Sequence, residues 1–137
     1  MTSNLISCRI LVVDDFEPWR RYVCSRLQEH PGMQVVGEAA NGFDAVQKAD
    51  ELKPDLVLLD IQLPDINGIE VSSRIGHAIP DTKVLFATLN NDPEWARAAL
   101  SNGAYGLLLK AEAATELLPA IEMVLRGEKF VSKRVKP

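Results

Sequence analysis

Strand-sized apolar runs recur along the whole chain, and amphipathic stretches of helical period separate them. The runs are Arg9 to Val13, Gln34 to Glu38, Asp55 to Leu59, Lys83 to Ala87 and Tyr105 to Leu109. This alternation predicts βα units wound around one parallel sheet. Several runs are apolar at consecutive positions, as strands covered by helices on both faces must be. Gln34 to Glu38 is the most polar, with Gln34, Gly37 and Glu38, and is therefore placed at an edge, giving the order 2-1-3-4-5. Between the first two runs, Trp19, Val23 and Leu27 fall on one helical face, with Pro18 in the first turn. Leu117, Leu118, Ile121, Val124 and Leu125 form the broadest stripe and mark a last helix packed on the sheet.

At 137 residues the chain has room for one such domain. Its apolar runs fall well short of the roughly 20 residues of a membrane span. The opening Met1 to Ser7 has no basic segment, which argues against a secretory leader and for a cytoplasmic chain. Cys8 and Cys24 form no C-x-x-C pair and read as ordinary reduced thiols.

Charge is unevenly spread. Arg126, Lys129, Lys133, Arg134 and Lys136 against Glu128 make the last twelve residues +4, so residues 1–125 carry −8 of the total −4. An acidic body disfavours nucleic acid or an anionic bilayer as direct partner and favours a cation or a basic protein surface. The basic tail lacks a groove-reading helix and reads as a solvated linker.

In an open parallel α/β sheet, the loops after the strand carboxyl ends meet at one rim, where ligands bind. Asp14 and Asp15 follow the first run, Asp60 the third, Thr88 the fourth and Lys110 the fifth. Each has a plain structural alternative: Asp14-Asp15 or Thr88 as helix caps, and Lys110 as an ion-pair partner for Asp60. Together, however, three carboxylates at one rim repel unless a cation joins them. All-oxygen ligands suit Mg²⁺, or Mn²⁺ in its place. His30 and His77 are isolated at helix ends and offer no zinc site. With the cation bound, Asp60 is placed to attack phosphorus while the Lys110 ammonium neutralises the transferring oxygens, giving an aspartyl phosphate.

These residues resemble the receiver domain of two-component response regulators. The likeness runs from about Ile10 to Gly127 and rests on Asp14-Asp15, Asp60-x-x-x-Pro64 with Gly68 following, Thr88, and Lys110 closing Gly-Ala-Tyr-Gly-Leu-Leu-Leu-Lys. It implies a flavodoxin-like (βα)5 sheet with Asp60 as phosphoacceptor. Asp15 and Asp60 would ligate the metal directly, Asp14 through water and Gln62 by its backbone carbonyl. The donor would be the phosphohistidine of a sensor histidine kinase. Ala111 after the lysine, and Leu125-Arg126-Gly127-Glu128-Lys129-Phe130-Val131, resemble the NarL/FixJ subfamily, whose receivers precede a LuxR-type DNA-binding module. No such module follows here, so residues 1–127 are expected to form the receiver and 128–137 a basic linker or tail.

Two positions depart from the family pattern. The aromatic switch position, three residues before the lysine, is Leu107, and Tyr105 is considered as a substitute on the same strand face. The residue after Thr88 is the bulky Leu89, expected to crowd the site. Gln62 and Asn90 occupy positions at which the family tunes hydrolysis. The resemblance further implies a readout surface, and a possible homodimer face, on the fourth helix, fifth strand and fifth helix, with Trp95, Arg97, Tyr105 and Glu116 as contact candidates. Three other functions compete. A flavodoxin-like cofactor binder would need a phosphate cradle where Asp14 and Asp15 repel phosphate. A haloacid-dehalogenase-type phosphatase would need a second acid where Gln62 stands. A receiver-like module that signals without phosphate keeps Leu89 as its support.

Overall fold

The computed structural model describes residues 7–135. The strands are β1 (Cys8–Val13), β2 (Met33–Ala39), β3 (Leu56–Leu59), β4 (Lys83–Thr88), β5 (Gly106–Leu109) and β6 (Phe130–Val131). The helices are α1 (Glu17–Gln28), α2 (Gly42–Leu52), α3 (Gly68–Ala78), α4 (Pro93–Ser101) and α5 (Ala113–Leu125), with a single 3-10 turn at Lys110–Glu112. One sheet runs β2-β1-β3-β4-β5-β6, all pairs parallel. The α/β fold and the order of the first five strands are those expected from the sequence; the sixth strand is additional. Met1 to Asn4 and the rest of the opening segment up to Ile6 lie outside the described residues, as does Lys136 of the basic tail.

Alternate residues of each strand feed two cores. Leu11, Val13, Val57, Leu59, Phe86 and Leu107 pack with α2, α3 and α4, while Ile10, Val12, Leu56, Leu58, Leu85 and Leu108 pack with α1 and α5. Helix starts are set locally. Asn41, Asn67 and Asp92 each accept a first-turn N–H of α2, α3 and α4, and Pro18 and Pro93 occupy first-turn positions where a missing N–H costs nothing. The buried face of α1 is Trp19, Val23 and Leu27, the stripe read from the sequence.

The basic tail does not leave the domain. Phe130 and Val131 pair with Gly106 and Leu107, and Val135 is buried in the same core as Leu107. The apolar residues of this segment face the protein while Lys129, Lys133 and Arg134 stay exposed, so composition alone misread it. Gly106 makes the pairing possible, because a Cβ there would run into the Phe130 carbonyl oxygen. Ser132 fastens the end: its buried Oγ accepts from Leu109 N–H at 2.8 Å and donates to Glu116 Oε1 at 2.5 Å. Glu116, expected as a partner contact, is thus occupied within the domain. Ser132→Ala leaves the Leu109 N–H without its acceptor and is expected to cost roughly 1–3 kcal/mol, read as a lowered midpoint in urea unfolding.

Candidate functional site

Asp14 follows β1 and is fully buried at the rim. Its N–H donates to Ala39 at the end of β2, and its carbonyl accepts from Arg20 Nη1 at 2.7 Å, which ties the loop to α1. Its Oδ1 accepts from Phe16 N–H at 2.9 Å, fixing the carboxylate plane. Asp60 N–H in turn donates to Val13, so the two acids are held side by side through the parallel ladder. The chain after Asp60 must turn tightly back to α3. Gly68 permits this, because a Cβ there would collide with the Asp60 carbonyl oxygen, and its N–H donates to Ile61.

Asp14, Asp15 and Asp60 each offer a carboxylate oxygen, and these lie within 4.8 Å of one another. Lys110, at the end of β5, brings its Nζ to 2.5 Å from Asp14 Oδ2 and 3.6 Å from Asp60 Oδ2. The contact with Asp14 is an ion pair, and the buried Asp14 Oδ2 has no hydrogen-bond donor. Asp60 Oδ1 accepts from Gln62 N–H at 3.2 Å. Burial pushes the Asp60 carboxyl up to about 6; Asp14 and Asp15 add to the rise, and the Lys110 ammonium and the Gln62 N–H oppose it.

The remaining positions are distributed less simply. Thr88 is buried at the end of β4, and its Oγ1 accepts from Asn90 N–H at 3.1 Å. Asn90 Oδ1 accepts from Asp92 N–H and so belongs to the entry into α4. Leu89 lines the cleft and is 80% exposed. Leu107 is buried on the α4 side of the sheet. Tyr105 is not on its face: β5 begins at Gly106, and Tyr105, in the preceding bend, packs with the opposite core between the Lys83 and Lys129 ammonium groups. It therefore cannot stand in for an aromatic at 107. Trp95 packs partly buried on the α4 side, and Arg97 is exposed. His30 is not isolated, since its Nε2 lies 3.4 Å from Glu122 Oε2 on α5.

Some contributors carried no signal in the sequence. The cleft encloses about 640 Å³, and its walls add Phe16, Pro18, Trp19 and Tyr22 to the acids. Asp65 holds the start of α2 by accepting from Gly42 and Phe43 N–H, a contact visible only once the loop after Asp60 is folded. Trp19 was legible as a buried helical residue, but nothing local links it to the site.

The donor set fits a hard divalent cation. It is all oxygen, it is concentrated enough to repel itself, and one of its buried oxygens lacks a hydrogen-bond donor. Among the described residues no helix is long and apolar enough to cross a membrane.

Residues 10–122 match the model of the response regulator receiver domain. The response regulator GacA of Pseudomonas viridiflava is 35% identical over 127 residues, covering 93% of this chain and 59% of its own length. The chain thus spans about three-fifths of that relative. The crystal structure of a LuxR-family two-component response regulator from Aurantimonas sp. SI85-9A1 is similar at a TM-score of 0.90 and 32% identity, over 94% of this chain and 92% of that one. The signal receiver domain of NarL from Mycobacterium tuberculosis is similar at 0.85 and 31%, over 90% and 99%.

Proposed function

The chain belongs to the response regulator receiver domain family, and from that premise we propose that it is a phosphoacceptor switch in which Asp60 takes a phosphoryl group from the phosphohistidine of a sensor histidine kinase. The observation that carries the proposal is the meeting of three carboxylates with one desolvated ammonium in a single cleft. Asp15 and Asp60 would hold Mg²⁺ or Mn²⁺ directly, Asp14 through water, and Gln62 by its carbonyl. The bound ion would offset the charge of the acids and of the incoming phosphoryl oxygens.

Gln62 N–H holds Asp60 Oδ1, leaving Oδ2 as the oxygen that faces Lys110. An Asp60 oxygen bonds to phosphorus as the bond from phosphorus to the histidine nitrogen breaks, and the electron pair stays on that nitrogen. Lys110 then pairs with a phosphoryl oxygen. Thr88 Oγ1 already accepts from Asn90 N–H, so its own proton is free to donate. The modified group has a charge of about −2 and new acceptor oxygens, which draw Thr88 and its loop inward.

Moving an equilibrium from 1:99 to 99:1 takes roughly 5.5 kcal/mol, and a hydrogen bond to a charged group supplies about 1.5–3. Thr88 alone is too weak, and the buried Leu107 offers no polar group to add, so a partial shift is the expected response. Gln62, at the cleft mouth, tunes the phosphoryl lifetime, and Asn90 acts on it through the Thr88 loop.

The readout would lie on α4, β5 and α5, also the candidate homodimer face. In a longer cytoplasmic protein it would govern a DNA-binding output, while this segment itself binds no nucleic acid directly. Incubation with acetyl phosphate and Mg²⁺, followed by intact mass measurement, is expected to show one added phosphoryl in the wild type and none in Asp60→Asn. Equal uptake by both would refute the Asp60 assignment, and no uptake by the wild type would favour the phosphate-independent module.

A further inference from the structure

Lys110 has neighbours of two kinds, and only one kind is acidic. Its side chain is 8% exposed, and its Nζ lies over the Trp19 ring, 5.2 Å from the ring centre. Trp19 is itself 8% exposed. Its ring is braced: it stacks on Tyr22 with centroids 5.6 Å apart and 30° between planes, and the Tyr22 hydroxyl accepts from Arg26 Nη1 at 2.8 Å. Arg26 Nη2 donates onward to the Ala114 carbonyl at the start of α5, 3.4 Å away. The indole is therefore a fixed wall of the cleft, tied to both helices that flank β5's end of the site.

We propose that Trp19 is a positioning residue for phosphoryl transfer, its indole face holding the Lys110 ammonium at the cleft floor while leaving that charge free to turn from Asp14 to a phosphoryl oxygen. The role rests on the phosphoacceptor reading given above. A ring face attracts a cation through its quadrupole, most strongly when both are desolvated. It has little directional preference and carries no charge. A second carboxylate in the same place would also hold Lys110, but it would compete with phosphate for it. An aliphatic wall would exclude water without attracting the ammonium, leaving Asp14 as its dominant partner.

Two substitutions separate position from packing. Trp19→Phe keeps an aromatic face, whereas Trp19→Leu keeps apolar bulk and loses the face. With acetyl phosphate and saturating Mg²⁺, the phosphorylation rate of Trp19→Phe is expected within about twofold of wild type, and that of Trp19→Leu about tenfold lower, which corresponds to about 1.4 kcal/mol. In a Lys110→Met background, Trp19→Leu is expected to add no further loss. Independently of phosphorylation, the Lys110 Cε protons in the metal-free wild type should show an upfield ring-current shift in NMR, retained in Trp19→Phe and lost in Trp19→Leu. A wild-type spectrum without that shift, an unimpaired Trp19→Leu, or an equal further loss in the Lys110→Met background would each overturn the role. Should Trp19→Leu not fold, the wild-type shift and the Trp19→Phe rate still decide it. A wild type that takes up no phosphoryl while showing the shift would sink the phosphoacceptor reading and leave the ring–ammonium contact standing.

Discussion

Lys110→Met is expected to slow phosphorylation of Asp60 by at least about a hundredfold with acetyl phosphate, the scale on which removing one preorganised donor to a developing anion acts. The Lys110 ammonium is almost fully shielded from water and lies 3.6 Å from Asp60 Oδ2, so no solvent counter-charge replaces it readily. Its loss has a second effect, because its charge is the largest influence opposing the rise of the Asp60 carboxyl toward 6. In the metal-free variant that carboxyl should titrate higher still, as followed by its carboxyl carbon resonance. A Lys110→Met protein that is phosphorylated at the wild-type rate would remove the lysine from the chemistry.

Asp60→Asn is expected to stabilise the metal-free protein at neutral pH. The folded carboxyl titrates near 6 against an ordinary 3.8, so the folded state holds the proton more tightly than the unfolded chain. Well below pH 3.8 both states are protonated and the group contributes no penalty. As pH rises from about 4 to 6 the unfolded chain ionises first and stability falls, reaching a loss on the order of 2–3 kcal/mol that persists above pH 6. The asparagine has no charge to bury and escapes that loss. Urea unfolding in the presence of a chelator should therefore show the two proteins alike near pH 3 and the variant ahead at pH 7. Added Mg²⁺ should narrow the gap, since binding to the folded state alone raises stability. Parallel pH profiles for the two proteins would show that Asp60 is not the strained carboxyl.

The strand pattern and the rim of chemical residues were legible because both follow from local order: apolar runs set the strands, and their carboxyl ends set the rim. The same local rules failed where a contact is made at a distance. Counting two residues puts Tyr105 on the face of Leu107, but the strand starts at Gly106, so the count has no strand to run along. Phe130-Val131 has too few residues to show a period, and its place is fixed by Gly106 and Ser132 across the sheet. Trp19 showed its burial through helical spacing, while its position under Lys110 depends on α1 and β5 meeting in space.

The closing strand also decides where this domain can be joined to anything else. A chimaera spliced after the last helix would strip β5 of its neighbour and bare a row of unpaired peptide groups, an invitation to sticky edge-to-edge growth. A junction placed beyond Val135 keeps that flank covered. Whatever is fused there then starts from a point riveted, through one hydroxyl, to the strand that leads into the lysine.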